Sequence, residues 1–128
     1  MIVGSTKEDL TQEKRVALTP EAAKNIIGLG LKVIIEKDYA THIGIKDKQF
    51  EEFGVNIKNS KEEILNSAKL IMKVNCPSDE EISKLKQNNF LIGMFNPSKN
   101  QKKIKDMLNK KVNIFSLELL PRITRAQS

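Results

Sequence analysis

The chain has no tryptophan, one tyrosine, one cysteine and one histidine in 128 residues. Each scarcity excludes a class of function. A lone Cys76 cannot close an internal disulfide, and a reducing compartment follows most simply. With Pro77 after it and no histidine near it in sequence, Cys76 is not a candidate catalytic thiol. The single histidine, His42, lies in a loop without ligand partners around it, so no metal site is expected. The net charge of +6 invites a nucleic-acid reading. The lysines, however, are spread along the chain, gathering only at 102–105 and 110–111, which describes a solvated surface. Stacking platforms and basic–aromatic interleaving are both missing, so no nucleic-acid partner is expected. No apolar run reaches the roughly 20 residues that span a bilayer. No apolar stretch follows a charged start as in a signal peptide, so the segment itself is expected to be soluble.

A phosphate-cradling glycine loop is also missing. Gly28-Leu29-Gly30 is the nearest candidate, but the third glycine position of a dinucleotide fingerprint falls on Val33. The pair also follows a helical pattern instead of linking a strand to a helix start. A dinucleotide bound here must have its pyrophosphate held elsewhere.

What is present is alternation. Short apolar or β-branched runs at 1–3, 32–36, 55–57, 70–74, 90–95 and 112–116 read as strands. Helical patterns of roughly ten residues separate them. Thr19-Pro20-Glu21 is a helix start, with Thr as N-cap and Pro at the first helical position, and Gly28 or Gly30 closes that helix. Residues 47–53 form a short helix stopped by Gly54. Ser60 with Glu63 makes a capping box, the acidic run 78–81 opens another helix after Pro77, and Ile104, Met107 and Leu108 share a face of a helix over 101–109. Met72, Met94 and Met107 fall on apolar faces and are expected in the core. The pattern predicts one α/β domain over 1–128: a mostly parallel sheet with helices on both faces. No internal repeat, linker or boundary interrupts it. The final stretch, residues 112–128, ends with no closing Gly or Pro and reads as cut before the next element.

In open parallel sheets ligands sit outside the carboxyl ends of the strands. That rule selects Arg15 after the first strand, Lys73 near the end of 70–74, Asn96 after 90–95, and Arg122, Arg125 and Gln127 after the last strand. Several cations on one sheet edge suit an anionic or polar ligand. Arg122 and Arg125 can meet an anion through two N–H groups at once, and the Gln127 amide suits a carboxamide. Each also has a plainer reading. Arg15 could be a surface loop residue and Arg125 a helix-pairing residue. Lys73 could snorkel to the sheet edge, although an ammonium between Met72 and Val74 needs a partner.

The chain resembles the N-terminal region of proton-translocating NAD(P) transhydrogenase alpha subunits and, more distantly, alanine dehydrogenases. The resemblance rests on Glu13-Lys14-Arg15-Val16-Ala17-Leu18-Thr19-Pro20-Glu21, Ile71-Met72-Lys73-Val74-Asn75-Cys76-Pro77, and Pro121-Arg122-Ile123-Thr124-Arg125-Ala126-Gln127-Ser128. It implies a Rossmann/flavodoxin-like first domain, discontinuous in sequence and incomplete without downstream residues, followed by a true Rossmann domain that holds NAD(H). The nicotinamide would lie in the cleft between them. The resemblance assigns Arg122 and Gln127 to the nicotinamide end, with Ser128 beginning the helix that continues the site. In the alanine dehydrogenase branch, Arg15 and Lys73 would hold the carboxylate and carbonyl of pyruvate.

That branch needs a histidine as acid–base partner where this chain has Asn96, which cannot shuttle a proton near neutral pH. The transhydrogenase reading is therefore preferred. In it a hydride passes from NADH to NADP+, coupled to proton translocation, with NADP(H) on another domain and no catalytic acid or base required here. The implied partners are the rest of the alpha subunit, a second alpha subunit in a homodimer, and a membrane-embedded beta subunit, at the cytoplasmic face of the bacterial inner membrane. This piece alone would be catalytically inactive. The alternatives are an NAD-dependent alanine dehydrogenase and a non-enzymatic, free-standing α/β binding module. Two departures from the family pattern stand out. Asp38-Tyr39-Ala40 replaces a Gly-Ala-Gly turn after the second strand, and Thr6 replaces a proline near the first.

Overall fold

A computed structural model describes residues 1–117. Six strands, β1 (Ile2–Ser5), β2 (Lys32–Glu36), β3 (Asn56–Lys58), β4 (Leu70–Met72), β5 (Phe90–Gly93) and β6 (Asn113–Ser116), form one sheet in the order β3-β2-β1-β4-β5-β6. Every pairing is parallel. Between them run α1 (Pro20–Gly28), α2 (Asp47–Glu51), α3 (Lys61–Ser67), α4 (Asp79–Lys84) and α5 (Gln101–Asn109), with a 3₁₀ turn at Thr41–Ile43. The chain winds outward from β1 to β3, returns to the centre at β4, and winds outward the other way. This is the doubly wound order, whose ligand crevice lies where the direction reverses, outside the ends of β1 and β4.

Strand alternation explains why both faces are covered. Along β2, Val33 and Ile35 point into one core with Val3, Leu18, Ala23 of α1 and Phe50 of α2. Ile34 points into the other, with Ile64 and Leu65 of α3, Ile82 of α4 and Met107 of α5. Helices α1 and α2 lie over the β1–β3 half of their face. Beyond β4 that same face carries Phe90 and Phe115, stacked at 6.2 Å between ring centroids, with Phe115 exposed. No described helix covers them.

The helix ends follow their sequence signals. Thr19 Oγ1 accepts from the Ala22 N–H at 3.1 Å, and Gly30, at φ +92°, ends α1 in the left-handed conformation that a Cβ disfavours. Ser78 and Glu81 form a reciprocal capping box. At α3 only the forward half of the expected box forms: Ser60 Oγ accepts from the Glu63 N–H.

Three strand ends differ from expectation. β1 runs on through Gly4 and Ser5, which pair with Ile34 and Ile35. β4 stops at Met72, because the Val74 and Asn75 N–H groups turn to the Glu8 carboxylate at 2.9 and 3.1 Å instead of staying in the ladder. β5 stops at Gly93, after which Phe95 turns into the core, fully buried, and Asn96 takes a positive φ of 45°. Gly93 itself is required: a Cβ there would overlap the Lys73 carbonyl and the Phe95 ring.

Candidate functional site

The carboxyl rim carries two adjacent arrangements that share Lys73. The first fills the crevice at the switch point. Lys73 extends from the end of β4 and is almost fully buried, its side chain 3% exposed. Its Nζ donates to the Lys7 carbonyl at 3.0 Å and lies 3.6 Å from Glu8 and 3.7 Å from Glu81. Glu8 accepts the two N–H groups that leave β4. Glu81 accepts from the Thr6 hydroxyl at 2.7 Å and from the Ser78 N–H at 3.2 Å. Burial alone would raise the Glu81 pKa; Lys73, the Thr6 hydroxyl and the Ser78 N–H outweigh it and hold the carboxyl below its ordinary value. The partner that Lys73 requires is thus a pair of carboxylates. A cavity of about 150 Å³ opens beside them, reaching Gln12, Cys76 and Lys103.

The second arrangement is open. A cavity of about 220 Å³ is lined by Arg15, Val16 and Ala17 on one side, Met72, Lys73 and Val74 on the other, and Ile92, Met94 and Leu117. It is mostly apolar, with one cation at its mouth. Glu13 fixes that cation: its carboxylate takes the Arg15 backbone N–H, Nε–H and Nη2–H, each at 2.8 Å. The side-chain bonds from Arg15 hold the Glu13 pKa down to about 2. The remaining guanidinium nitrogen, Nη1, lies 3.9 Å from the Met94 sulfur. Met94, expected in the core, is 39% exposed and forms part of this wall. It shares its face with Ile92, on the half of the sheet that α1 and α2 do not reach.

Farther along the rim, a polar hollow of about 350 Å³ is bounded by Asn75, Cys76, Met94, Asn96 and Lys103, among others. Asn96 therefore lies on the carboxyl rim as its position after β5 suggested. Burial raises the Cys76 pKa, consistent with a thiol not set up as a nucleophile. His42 is exposed, its Nε2 2.7 Å from the Lys14 carbonyl. Among the described residues no group of His, Cys, Asp and Glu could hold a metal.

A hydrogen-bonded strut underlies the open cavity. Ser5 Oγ donates its one proton to the Met72 carbonyl at 2.6 Å. The buried Tyr39 hydroxyl, 2.7 Å from Ser5 Oγ, must then donate to it. The Tyr39 oxygen accepts the Ala17 and Leu18 N–H groups, both at 3.1 Å. Every donor in this small network is used.

Of the residues selected from sequence, Arg15, Lys73 and Asn96 come together on one rim. Arg122, Arg125, Gln127 and Ser128 lie outside the described residues. Glu8, Thr6, Glu81 and Tyr39 were not selected. The signal for the carboxylates was Lys73 itself, since an ammonium inside an apolar strand implies buried acids nearby. The signal for Thr6 and Tyr39 was that both stand at departures from the family pattern.

Comparison with known proteins gives concordant results. The family model described as alanine dehydrogenase/PNT, N-terminal domain, matches residues 4–128. The NAD(P) transhydrogenase subunit alpha of Haemophilus influenzae is 36% identical over 128 residues, covering all of this chain and 25% of that protein. The crystal structure of transhydrogenase from Sinorhizobium meliloti superposes with a TM-score of 0.89 at 33% identity, covering 99% of this chain and 38% of that one. An alanine dehydrogenase of Methanococcus maripaludis is 28% identical over 126 residues, covering 98% of this chain and 34% of that protein. The chain thus spans between a quarter and two fifths of the length of these relatives.

Proposed function

Because the chain belongs to the alanine dehydrogenase/PNT N-terminal domain family, we propose that it forms the N-terminal part of a proton-translocating NAD(P) transhydrogenase alpha subunit. Its carboxyl rim lines the cleft that receives the nicotinamide end of NAD(H). When bound, the reduced nicotinamide of NADH would supply the hydride. The residues of this chain orient the ring and keep water from it.

The observation that carries this reading is the division of the rim. The sheet order is that of a dinucleotide-binding fold, yet the crevice where a pyrophosphate would lie is filled by Glu8, Lys73 and Glu81. Two carboxylates repel phosphate, and no glycine turn offers backbone N–H groups. The residues present do not fit the pyrophosphate. They fit one end of the cofactor: the open cavity of about 220 Å³ is smaller than the roughly 300–1,000 Å³ that encloses a whole small-molecule ligand. It has room for a single ring with a polar substituent facing Arg15. In this reading Arg122, Gln127 and Ser128 complete the nicotinamide end, and the rest of the alpha subunit holds the phosphates. NADP(H), the beta subunit and the inner membrane belong to other parts of the complex, and the alpha subunits pair as a homodimer.

Alanine dehydrogenase is the second reading, because Arg15 and Lys73 border the same cavity. Asn96 weighs against it: the rim of the described residues offers no histidine to move a proton, and His42 is bonded to Lys14 instead. One assay separates the two. The intact protein is given NADH with an NADP+ analogue, and separately NADH with pyruvate and ammonium. Reduction of the analogue without pyruvate-dependent oxidation is expected. Pyruvate-dependent oxidation that Lys73→Ala abolishes would overturn the transhydrogenase reading. So would a downstream reading frame without a glycine-rich strand–turn–helix.

A further inference from the structure

We propose that Tyr39, acting with Ser5, is a positioning residue that sets the separation of the two walls of the rim cavity. This rests on the reading of that cavity as the nicotinamide end of the site. One wall is Arg15, Val16 and Ala17; the other begins at Met72. The strut reaches both. The Tyr39 oxygen holds the Ala17 and Leu18 N–H groups, and Ser5 Oγ, which receives the Tyr39 proton, holds the Met72 carbonyl. Among the described residues no other hydrogen bond links the 15–18 segment to β4.

Rigidity supports the role. The Tyr39 ring is buried, packed edge-on against Phe50 at 5.8 Å between centroids. Ser5 sits within β1, between β2 and β4. Both ends of the strut are therefore anchored in the sheet and the core, and the strut ties the backbone of the Arg15 segment, whose Leu18 side chain is also buried in that core, to the end of β4. Without the Tyr39 hydroxyl, the buried Leu18 N–H loses its partner and the segment must shift to regain one. A shift of about 1 Å at a reacting centre can cost up to about 100-fold in rate.

The strut should show in turnover and not in affinity, because most of the cofactor is held elsewhere. In the intact transhydrogenase, Tyr39→Phe is expected to lower kcat about tenfold and to leave the KM for NADH within about twofold. Ser5→Ala should do the same, Ser5→Thr should retain activity, and the double variant should be no slower than either single one, since the two groups act as a unit. Phe50→Leu is the control: it loosens the packing around the Tyr39 ring but keeps the hydroxyl, so it should lower the melting temperature without lowering kcat. Unchanged kcat in Tyr39→Phe and Ser5→Ala would overturn the proposal, as would an equal fall in Phe50→Leu. A wild-type complex that transfers no hydride would instead defeat the functional reading. Amide exchange then decides the geometry separately: the Ala17 and Leu18 N–H groups should be protected in the wild-type chain and exposed in Tyr39→Phe. Exchange at those two sites that does not change would overturn the strut itself.

Discussion

The two halves of the rim lie side by side, share a lysine, and differ in almost every physical respect. At the switch point the crevice is braced from within, with a cavity of about 150 Å³ left beside the buried groups. Thr6, Glu8, Lys73 and Glu81 are all buried, and each finds its partners within the chain. At Arg15 the rim is open among the described residues: the wall is mostly apolar, the cation at its mouth is exposed, and one of its guanidinium nitrogens lies against the Met94 sulfur. Strand order alone would put the ligand in the first place. In the proposed reading the side chains move it to the second. A doubly wound sheet supplies a crevice, but whether that crevice binds or braces is decided by what the loops put into it.

The closed half should be the more sensitive to substitution. Lys73→Met leaves two buried carboxylates facing each other with no cation between them. Breaking a buried ion pair from one side costs about 3–5 kcal/mol, and denaturant unfolding of the chain should show a loss of that size. Adding Glu81→Gln should recover part of it, since one of the two orphaned charges is then removed. A loss below about 1 kcal/mol, within the range of an exposed pair, would erase the distinction between the halves.

The same contrast marks what the sequence could and could not reveal. Every strand and α-helix among the described residues was legible, because apolar alternation and capping residues are local signals. Lys73 was recognisable as a residue in need of a partner, for the same reason. The partners were not, because the Glu8 carboxylate and the Val74 N–H it accepts are 66 residues apart and meet only once β1 and β4 pair. Met94 was misread for a related reason. An apolar residue beyond a strand looks like core unless it is known that the helices on its face stop short of β5. The strut was hidden further, since Ser5, Tyr39, Ala17 and Met72 share no sequence pattern, and the departures at Thr6 and Tyr39 looked like loop variation. They are hydroxyls that bond across the rim.

Thr6→Val tests the closed half more gently. It keeps the shape of the side chain and removes only the proton given to Glu81. Hydrogen bonds to charged groups contribute about 1.5–3 kcal/mol, so the loss should be smaller than for Lys73→Met but still clear in urea unfolding. Thr6→Ser should restore most of it. If Thr6→Val were neutral, Glu81 would be held by Lys73 and Ser78 alone.

The open half should respond in function and hardly in stability. Arg15→Ala removes an exposed guanidinium, so the unfolding midpoint should fall only by the modest contribution of its bonds to Glu13. Affinity of the intact protein for NADH should fall by about 10-fold to 100-fold if the cation meets the cofactor, the range expected for one charge-assisted hydrogen bond. Arg15→Lys should recover little, because an ammonium cannot reproduce the fork that grips Glu13. A larger drop in stability with NADH affinity unchanged would reverse the assignment and make Arg15 the structural residue.

The smallest expected effect is the one that Glu13 contributes. Its pKa is about 2 in the folded chain against an ordinary 4.5, first because of the side-chain bonds from Arg15. The folded value is the lower one, so between about 4.5 and about 2 the unfolded chain binds more protons. The contribution of Glu13 is therefore complete above about 4.5 and is lost as the pH falls towards 2. The Arg15 partner is exposed, so solvent and salt keep the effect modest. Comparing wild type with Glu13→Gln by denaturant unfolding across the acid range isolates it. The stability difference should be flat above pH 5, shrink through pH 4 and 3, and vanish near pH 2. A difference that persists at pH 2, or is absent at pH 7, would mean that Glu13 does not hold Arg15, and the open cavity would lose the fixed cation that distinguishes it from a simple apolar dent.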